Sequence, residues 1–164
     1  MTSPDQFVRQ LVIGVGNDYR GDDGAGLAVI RRIRDNPPAG TATREGTGDG
    51  AGLIDAWEAF DEVIIIDAAS SGEPPGTVFR FDACEDPIPE GTLRGCSTHA
   101  MGIGAVIELA RTLDRLPPRL TVYAIEGRDF TIGAPMSPEV LKAVDEVGLL
   151  LRREIPATAQ ELRD

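Results

Sequence analysis

The sequence has few of the residues that mark several protein classes, and each shortage excludes one class. The two cysteines among the 164 residues, Cys84 and Cys96, are too few for a disulfide scaffold. No apolar run approaches the ~18 residues of a membrane-spanning helix. Residues Met1–Gln6 carry neither the basic region nor the apolar stretch of a secretory signal, so we expect a cytoplasmic protein.

Basic residues are scarce relative to acidic ones. The chain has 16 Lys and Arg against 27 Asp and Glu, which gives a formal net charge of -11. A surface of this sign repels nucleic-acid phosphates and anionic lipids, so we expect neither nucleic acid nor a membrane as a partner. The length fits one domain over residues 1–164, with 156–164 as a frayed tail, and a monomer is the default expectation.

Strand and helix patterns alternate along the chain. Val63–Asp67 is apolar on both faces, as in a central strand, whereas Thr77–Asp82 alternates as a half-exposed edge strand does. The other patterns predict strands at Phe7–Val15, Thr41–Glu45 and Leu120–Ile125, and helices at Gly24–Asp35, Leu53–Phe60, His99–Leu113 and Ser137–Arg153. The alternation predicts an α/β three-layer sandwich, in which helices flank both faces of a mostly parallel, twisted sheet of about five strands.

Polar residues follow the predicted strands at their carboxyl ends, where open α/β sheets bind ligands. Asp22 and Asp23 come after the first strand, Asp67 ends the central strand, and His99, the only histidine, lies at a predicted helix start. If these ends converge, two carboxylates and an imidazole form a partial shell for a divalent metal. Each residue also has an ordinary explanation as a cap or turn residue, so the spacing alone is a weak indication.

Other catalytic and binding motifs are absent or incomplete. The sequence has no His-Glu-x-x-His, no Gly-x-Ser-x-Gly and no Gly-x-x-x-x-Gly-Lys. Gly14 and Gly16 follow a strand as in dinucleotide-binding proteins, but Tyr19 stands where the third glycine belongs. A nucleotide-binding oxidoreductase or regulatory module is therefore kept only as an alternative. An aspartic-protease pair of Asp23 and Asp67 is disfavoured, because neither has an Asp-Thr/Ser-Gly context.

Several segments taken together resemble the hydrogenase maturation proteases, the endopeptidases that trim a C-terminal peptide from the large subunit of nickel–iron hydrogenases. These segments occur in the family's order and spacing over nearly the whole chain. They are Gly14–Asn17, Arg20–Gly26, Ile65–Ala68, Ser97–Gly102, Ile125–Gly127 and Gly133–Pro138.

The resemblance implies that Asp23, Asp67 and His99 are both the catalytic and the metal-contacting residues. Some family members carry glutamate where this chain has Asp23, so Asp22 is an alternative first ligand. The implied metal is nickel, supplied by the hydrogenase large-subunit precursor that is the expected partner, and used for recognition. The implied function is removal of the precursor's C-terminal extension after nickel insertion. A non-catalytic, nickel-binding maturation accessory protein is the other alternative.

Overall fold

The fold is a five-stranded sheet between two pairs of helices. It was obtained as a computed structural model, which describes residues 9–46, 50–89, 92–93 and 102–154. The strands are β1 (Gln10–Val15), β2 (Thr41–Gly46), β3 (Glu62–Ala69), β4 (Val78–Asp82) and β5 (Arg119–Glu126). The helices are α1 (Ala25–Ile33), α2 (Gly50–Trp57), α3 (Ile103–Thr112) and α4 (Pro138–Glu154), and a 3-10 turn (Gly21–Gly24) precedes α1.

The strand order is β2-β1-β3-β5-β4, and all neighbouring pairs are parallel except β4 with β5. The α/β class and the mostly parallel sheet predicted from the sequence are thus confirmed. The half-exposed strand predicted near Thr77–Asp82 is the antiparallel edge strand β4, which has one neighbour and therefore need not be apolar on both faces.

Two apolar clusters, one on each face of the sheet, form the core. In β3, Ile65 belongs to the cluster that includes α2 and α3, whereas its neighbours Ile64 and Ile66 belong to the cluster that includes α1 and α4. Both faces of this strand are covered because successive side chains point to opposite faces. In the described ranges, no helix is both long and apolar enough to cross a membrane.

Helix α1 approaches the sheet so closely that glycine is required on both sides of the contact. A Cβ at Gly14 would lie 2.2 Å from the carbonyl oxygen of Gly26. A Cβ at Gly26 would in turn lie 2.2 Å from the carbonyl oxygen of Ile66 and 2.5 Å from that of Val15. The start of α1 is therefore pressed against the carboxyl ends of β1 and β3.

The element boundaries differ from the predictions at several places. Helix α2 begins three residues before the predicted Leu53 and ends at Trp57. The glycine at its first position packs closely against a side chain of α3. The sequence pattern did not distinguish this glycine from a loop residue. Strand β3 continues past Asp67 to Ala69. The predicted helix start at His99 lies outside the described residues.

Candidate functional site

The candidate site lies where the direction of chain winding reverses. From β1 the chain passes through α1 to β2 on one side, and it then returns to β3 on the other side of β1. In open α/β sheets the carboxyl ends of two such strands diverge into a crevice that binds ligands. Asp23, just before α1, and Asp67, near the end of β3, both belong to this crevice.

Asp22 is fully buried and is used as a structural acceptor. Its Oδ2 accepts backbone N–H groups of Arg128 at 2.7 Å and of Asp129 at 3.0 Å. Ser137 donates its backbone N–H to Oδ1 at 2.6 Å and its hydroxyl to Oδ2 at 2.7 Å. Burial by itself would raise the pKa of Asp22, but these bonds outweigh it and hold the pKa below its ordinary value. With four bonds to its two oxygens, Asp22 has little capacity left to bind a metal.

Asp23 is also buried, but its carboxylate lacks such partners. Its Oδ2 is inaccessible to solvent and accepts no hydrogen bond from the described residues. Burial raises the pKa of Asp23, against the opposing effects of the Arg20 guanidinium and the backbone N–H of Asn17. A buried carboxylate oxygen without a donor is costly for the folded protein, and a bound cation would satisfy it. This contrast with Asp22 favours Asp23 as the first ligand.

Asp67 is the second buried carboxyl group of the crevice. In the described part of the chain, its side chain accepts one hydrogen bond, from the backbone N–H of Ala68 at 2.8 Å. Burial raises the pKa of Asp67 to about 7; the Ala68 bond opposes this rise, and the negative charge of Asp23 adds to it. The charge of Asp23 acts on Asp67, so the two carboxyl groups are near each other, and their joint role as site residues stays a prediction.

Asp67 makes the stability of the metal-free protein depend on pH. The pKa of Asp67 rises from an ordinary value of 3.8 to about 7 on folding. At pH values between these two, the folded chain keeps a proton on Asp67 that the unfolded chain has released. Stability therefore falls as the pH rises through this window, and we expect Asp67→Asn to stabilise the protein by about 2–4 kcal/mol at pH 8. Thermal melting in the presence of a chelator measures this difference. At pH 4 the two proteins should melt alike, and an equal difference at both values would contradict the prediction.

His99, the third predicted site residue, lies outside the described residues, so its part in the site stays a prediction. By strand alternation, Asp67 faces the same side of the sheet as Ile65, which is the side covered by α3. His99 precedes the first residue of α3 by four positions. Within the described ranges, no three His, Cys, Asp or Glu residues are grouped closely enough to hold a metal ion.

Two polar residues near this edge of the sheet were not singled out from the sequence. Arg20 contributes the positive charge that acts on Asp23, and its place directly before Gly21-Asp22-Asp23 was the available indication. Glu126, at the end of β5, is buried and accepts hydrogen bonds from Ser71 and Gly72. Its carboxylate therefore holds the loop after β3 and does not face the acid pair as a free group.

The crevice is poorly suited to a dinucleotide. Gly14 and Gly16, the basis of that alternative, are explained by contacts within the chain, since a Cβ at Gly16 would lie 2.0 Å from the carbonyl oxygen of Asp23. Phosphates bind a helix N-terminus because it carries partial positive charge. Here Asp22 and Asp23 already occupy the turn before α1, and their charge repels an anionic ligand.

Comparisons with known proteins agree on one family. The family profile described as hydrogenase maturation protease matches residues 42–152 of this chain. The chain is 28% identical over 142 residues to the hydrogenase expression/formation protein HupD of Rhodobacter capsulatus, and this match covers 84% of this chain and 66% of HupD. It is 29% identical over 144 residues to HupD of Bradyrhizobium diazoefficiens, with coverage of 85% and 74%.

A solved structure gives the same answer for the fold. The hydrogenase maturating endopeptidase HybD from E. coli superposes on this chain with a TM-score of 0.70 at 24% sequence identity. The superposition covers 89% of this chain and 93% of HybD. At this level of identity, the likeness establishes the shared architecture.

Proposed function

The chain belongs to the hydrogenase maturation protease family, and we propose that it removes the C-terminal extension of a nickel–iron hydrogenase large-subunit precursor. The observation that carries this proposal is the buried acid pair, Asp23 and Asp67, in the ligand-binding crevice of the sheet. Two acids that are buried together, one of them with an oxygen that lacks a donor, reduce the stability of the fold. Such an arrangement is typical of a site kept for function.

We propose that the acid pair recognises nickel that the precursor already carries, so that the ion is part of the substrate. The oxygen ligands would be the carboxylates of Asp23 and Asp67, with His99 as a nitrogen ligand. A mixed set of oxygen and nitrogen donors suits nickel, although zinc accepts the same donors. Binding the ion in this crevice would fix the peptide bond to be cleaved next to the pair, and such positioning alone lowers a reaction barrier by several kcal/mol.

Cleavage itself requires water to add to the peptide carbonyl carbon while the carbon–nitrogen bond breaks. One proton of the water must be accepted by a base and delivered to the leaving nitrogen. A carboxyl group with a pKa near the working pH is suited to both tasks, and we propose a carboxylate of the pair, Asp23 or Asp67, for them. In the metal-free protein burial raises the pKa of Asp67 to about 7, and a bound cation would lower it. Bound nickel would supply Lewis acidity at the carbonyl oxygen or the water.

The direct test incubates the protein with a nickel-loaded large-subunit precursor from the same organism and follows the precursor mass by mass spectrometry. We expect a shortened large subunit and a released C-terminal peptide. The same precursor prepared without nickel should remain uncut. Equal cleavage of both precursors would contradict recognition through nickel, whereas an uncut nickel-loaded precursor would contradict the protease function.

The alternative of a non-catalytic accessory protein makes a different prediction in this assay. Such a protein would form a stoichiometric complex with the nickel-loaded precursor and leave its mass unchanged. The cytoplasmic location and the monomeric state stay predictions from the sequence.

A further inference from the structure

Two large apolar side chains project into solvent on loops next to the acid pair. The exposed fractions are 80% for Tyr19 and 76% for Ile132, the highest among the large hydrophobic residues in the described ranges. The others that are exposed lie on α3 and α4 or directly after α3; they are Leu109, Leu113, Leu141 and Leu149. Scattered leucines on helices are ordinary, whereas an apolar pair on two adjoining loops beside a crevice indicates an interaction surface.

Hydrogen bonds join the two loops to each other. The backbone N–H of Gly133 donates to the carbonyl oxygen of Tyr19 at 2.8 Å, and Arg20 Nε donates to the carbonyl oxygen of Phe130 at 3.4 Å. Phe130 is half-buried and packs against the core cluster of α1 and α4. The backbone that carries both apolar side chains is therefore braced from within the molecule.

Each side chain is presented by a tight turn. The backbone N–H of Ala134 donates to the carbonyl oxygen of Thr131 at 3.1 Å, and Gly133 between them has a φ of +82°. This geometry places Ile132 at the outer corner of a turn that needs glycine at its next position. On the other loop, the backbone N–H of Tyr19 donates to Asn17 Oδ1 at 2.9 Å, which forms an Asx turn.

The first loop leads directly to the acid pair. Asn17 donates its backbone N–H to the carbonyl oxygen of Asp23 at 3.2 Å, and Asp23 donates its own to the carbonyl oxygen of Arg20 at 3.1 Å. Tyr19 therefore belongs to the same short hydrogen-bonded turn as Asp23, beside the proposed cleavage site.

We propose that Tyr19 and Ile132 form a docking surface for an apolar side chain of the precursor next to the bond that is cut. We call the pair the Tyr19–Ile132 surface. This inference rests on the proposed function, because the occupant is the substrate polypeptide of the same site. The surface makes the protein select precursors by the apolar character of this segment, in addition to their metal.

The test compares wild type with a Tyr19→Ser, Ile132→Ser double variant on the nickel-loaded precursor. Truncating exposed apolar residues that become buried on binding should lower kcat/KM about tenfold, mainly through KM. A Leu141→Ser, Leu149→Ser double variant of α4 makes the same chemical change at exposed leucines, and it should stay within about twofold of wild type. Melting temperatures establish that both double variants fold. If the docking-surface double variant does not fold, the single Tyr19→Ser and Ile132→Ser variants are compared with wild type instead. A docking-surface variant with wild-type kcat/KM would overturn the inference.

Binding measured without cleavage separates this inference from the proposed function. Affinity of the immobilised precursor for each protein is recorded under the same conditions. If the precursor binds wild type, binds the docking-surface variant about tenfold more weakly and is never cut, the protease function is contradicted and the surface is supported. If it is cut equally well by both proteins, only the surface is contradicted. If it neither binds nor is cut, both proposals are wrong.

Discussion

Asp22→Asn is expected to lower the free energy of unfolding by about 3–5 kcal/mol, because it removes a buried charge that is fully hydrogen-bonded. Asparagine retains one acceptor oxygen and replaces the other with an NH₂ group. That group cannot accept the N–H donors that converge on Asp22 from Arg128, Asp129 and Ser137. For a protein of this size the melting temperature should fall by about 10 °C. Thermal melting at pH 7 in the presence of a chelator measures the effect.

The neighbouring residue offers a matched control. Asp23→Asn makes the same change one position along the chain, where the carboxylate is buried with an oxygen that accepts no hydrogen bond from the described residues. Since burial raises the pKa of Asp23, the ionised form weakens the fold, and we expect Asp23→Asn to melt at or above the wild-type temperature at pH 8. Equal losses in both variants would contradict the different roles assigned to these two acids.

The effect of Asp22→Asn should also depend on pH, with the opposite sign to that of Asp67. Since the pKa of Asp22 is lowered on folding, its contribution to stability is present above its ordinary pKa of 3.8. This contribution is lost as the pH falls through the lower value of the folded state. The difference in melting temperature from wild type should therefore shrink below pH 3.8.

Asp67→Asn and Asp23→Asn are each expected to reduce cleavage of the nickel-loaded precursor about 100- to 10,000-fold, the range found when a general acid–base group is removed. Neutral amides bind a cation less well and accept no proton from water. The two losses should not multiply in the double variant, because residues that act as one unit are not additive. Initial rates of precursor shortening measure each loss.

The control for this prediction is Asp55→Asn, the same change at an exposed aspartate of α2. Its carboxylate pairs with Arg115. The Asp55→Asn variant should cleave at the wild-type rate, because the side chain of Asp55 is exposed and exposed ion pairs contribute little to the fold. Loss of a general acid–base group lowers the rate at least about 100-fold. If Asp67→Asn or Asp23→Asn keeps more than about a tenth of wild-type activity, the substituted residue does not belong to the catalytic site.

Much of the fold could be predicted because hydrophobic patterns report which faces are covered. The five residues Val63–Asp67 predicted a central strand correctly, since only a strand with helices on both sides is apolar throughout. The start of helix α2 was predicted three residues too late, because its first residue, Gly50, packs against Val106. A contact of this kind depends on residues that are distant in sequence, and the local pattern does not contain it.

The site could be predicted only in part, for a similar reason. The resemblance favoured Asp23 as the first ligand, but the sequence left the adjacent Asp22 open as an alternative. Their roles differ because residues 106 to 115 positions downstream donate hydrogen bonds to Asp22, and none of the described residues does so for Oδ2 of Asp23. The exposure of Tyr19 and Ile132 could not be predicted either, because the local sequence of a loop does not show whether an apolar side chain packs against distant residues.

The bonds of Asp22 tie the turn that carries Asp23 to a segment far along the chain. Ser137 stands 115 positions after Asp22, and all three donor residues follow the last strand, β5. A chain cut off after β5 would therefore contain both Asp23 and Asp67 but none of the groups that hold Asp22. The order of this turn depends on a loop that lies outside the sheet itself.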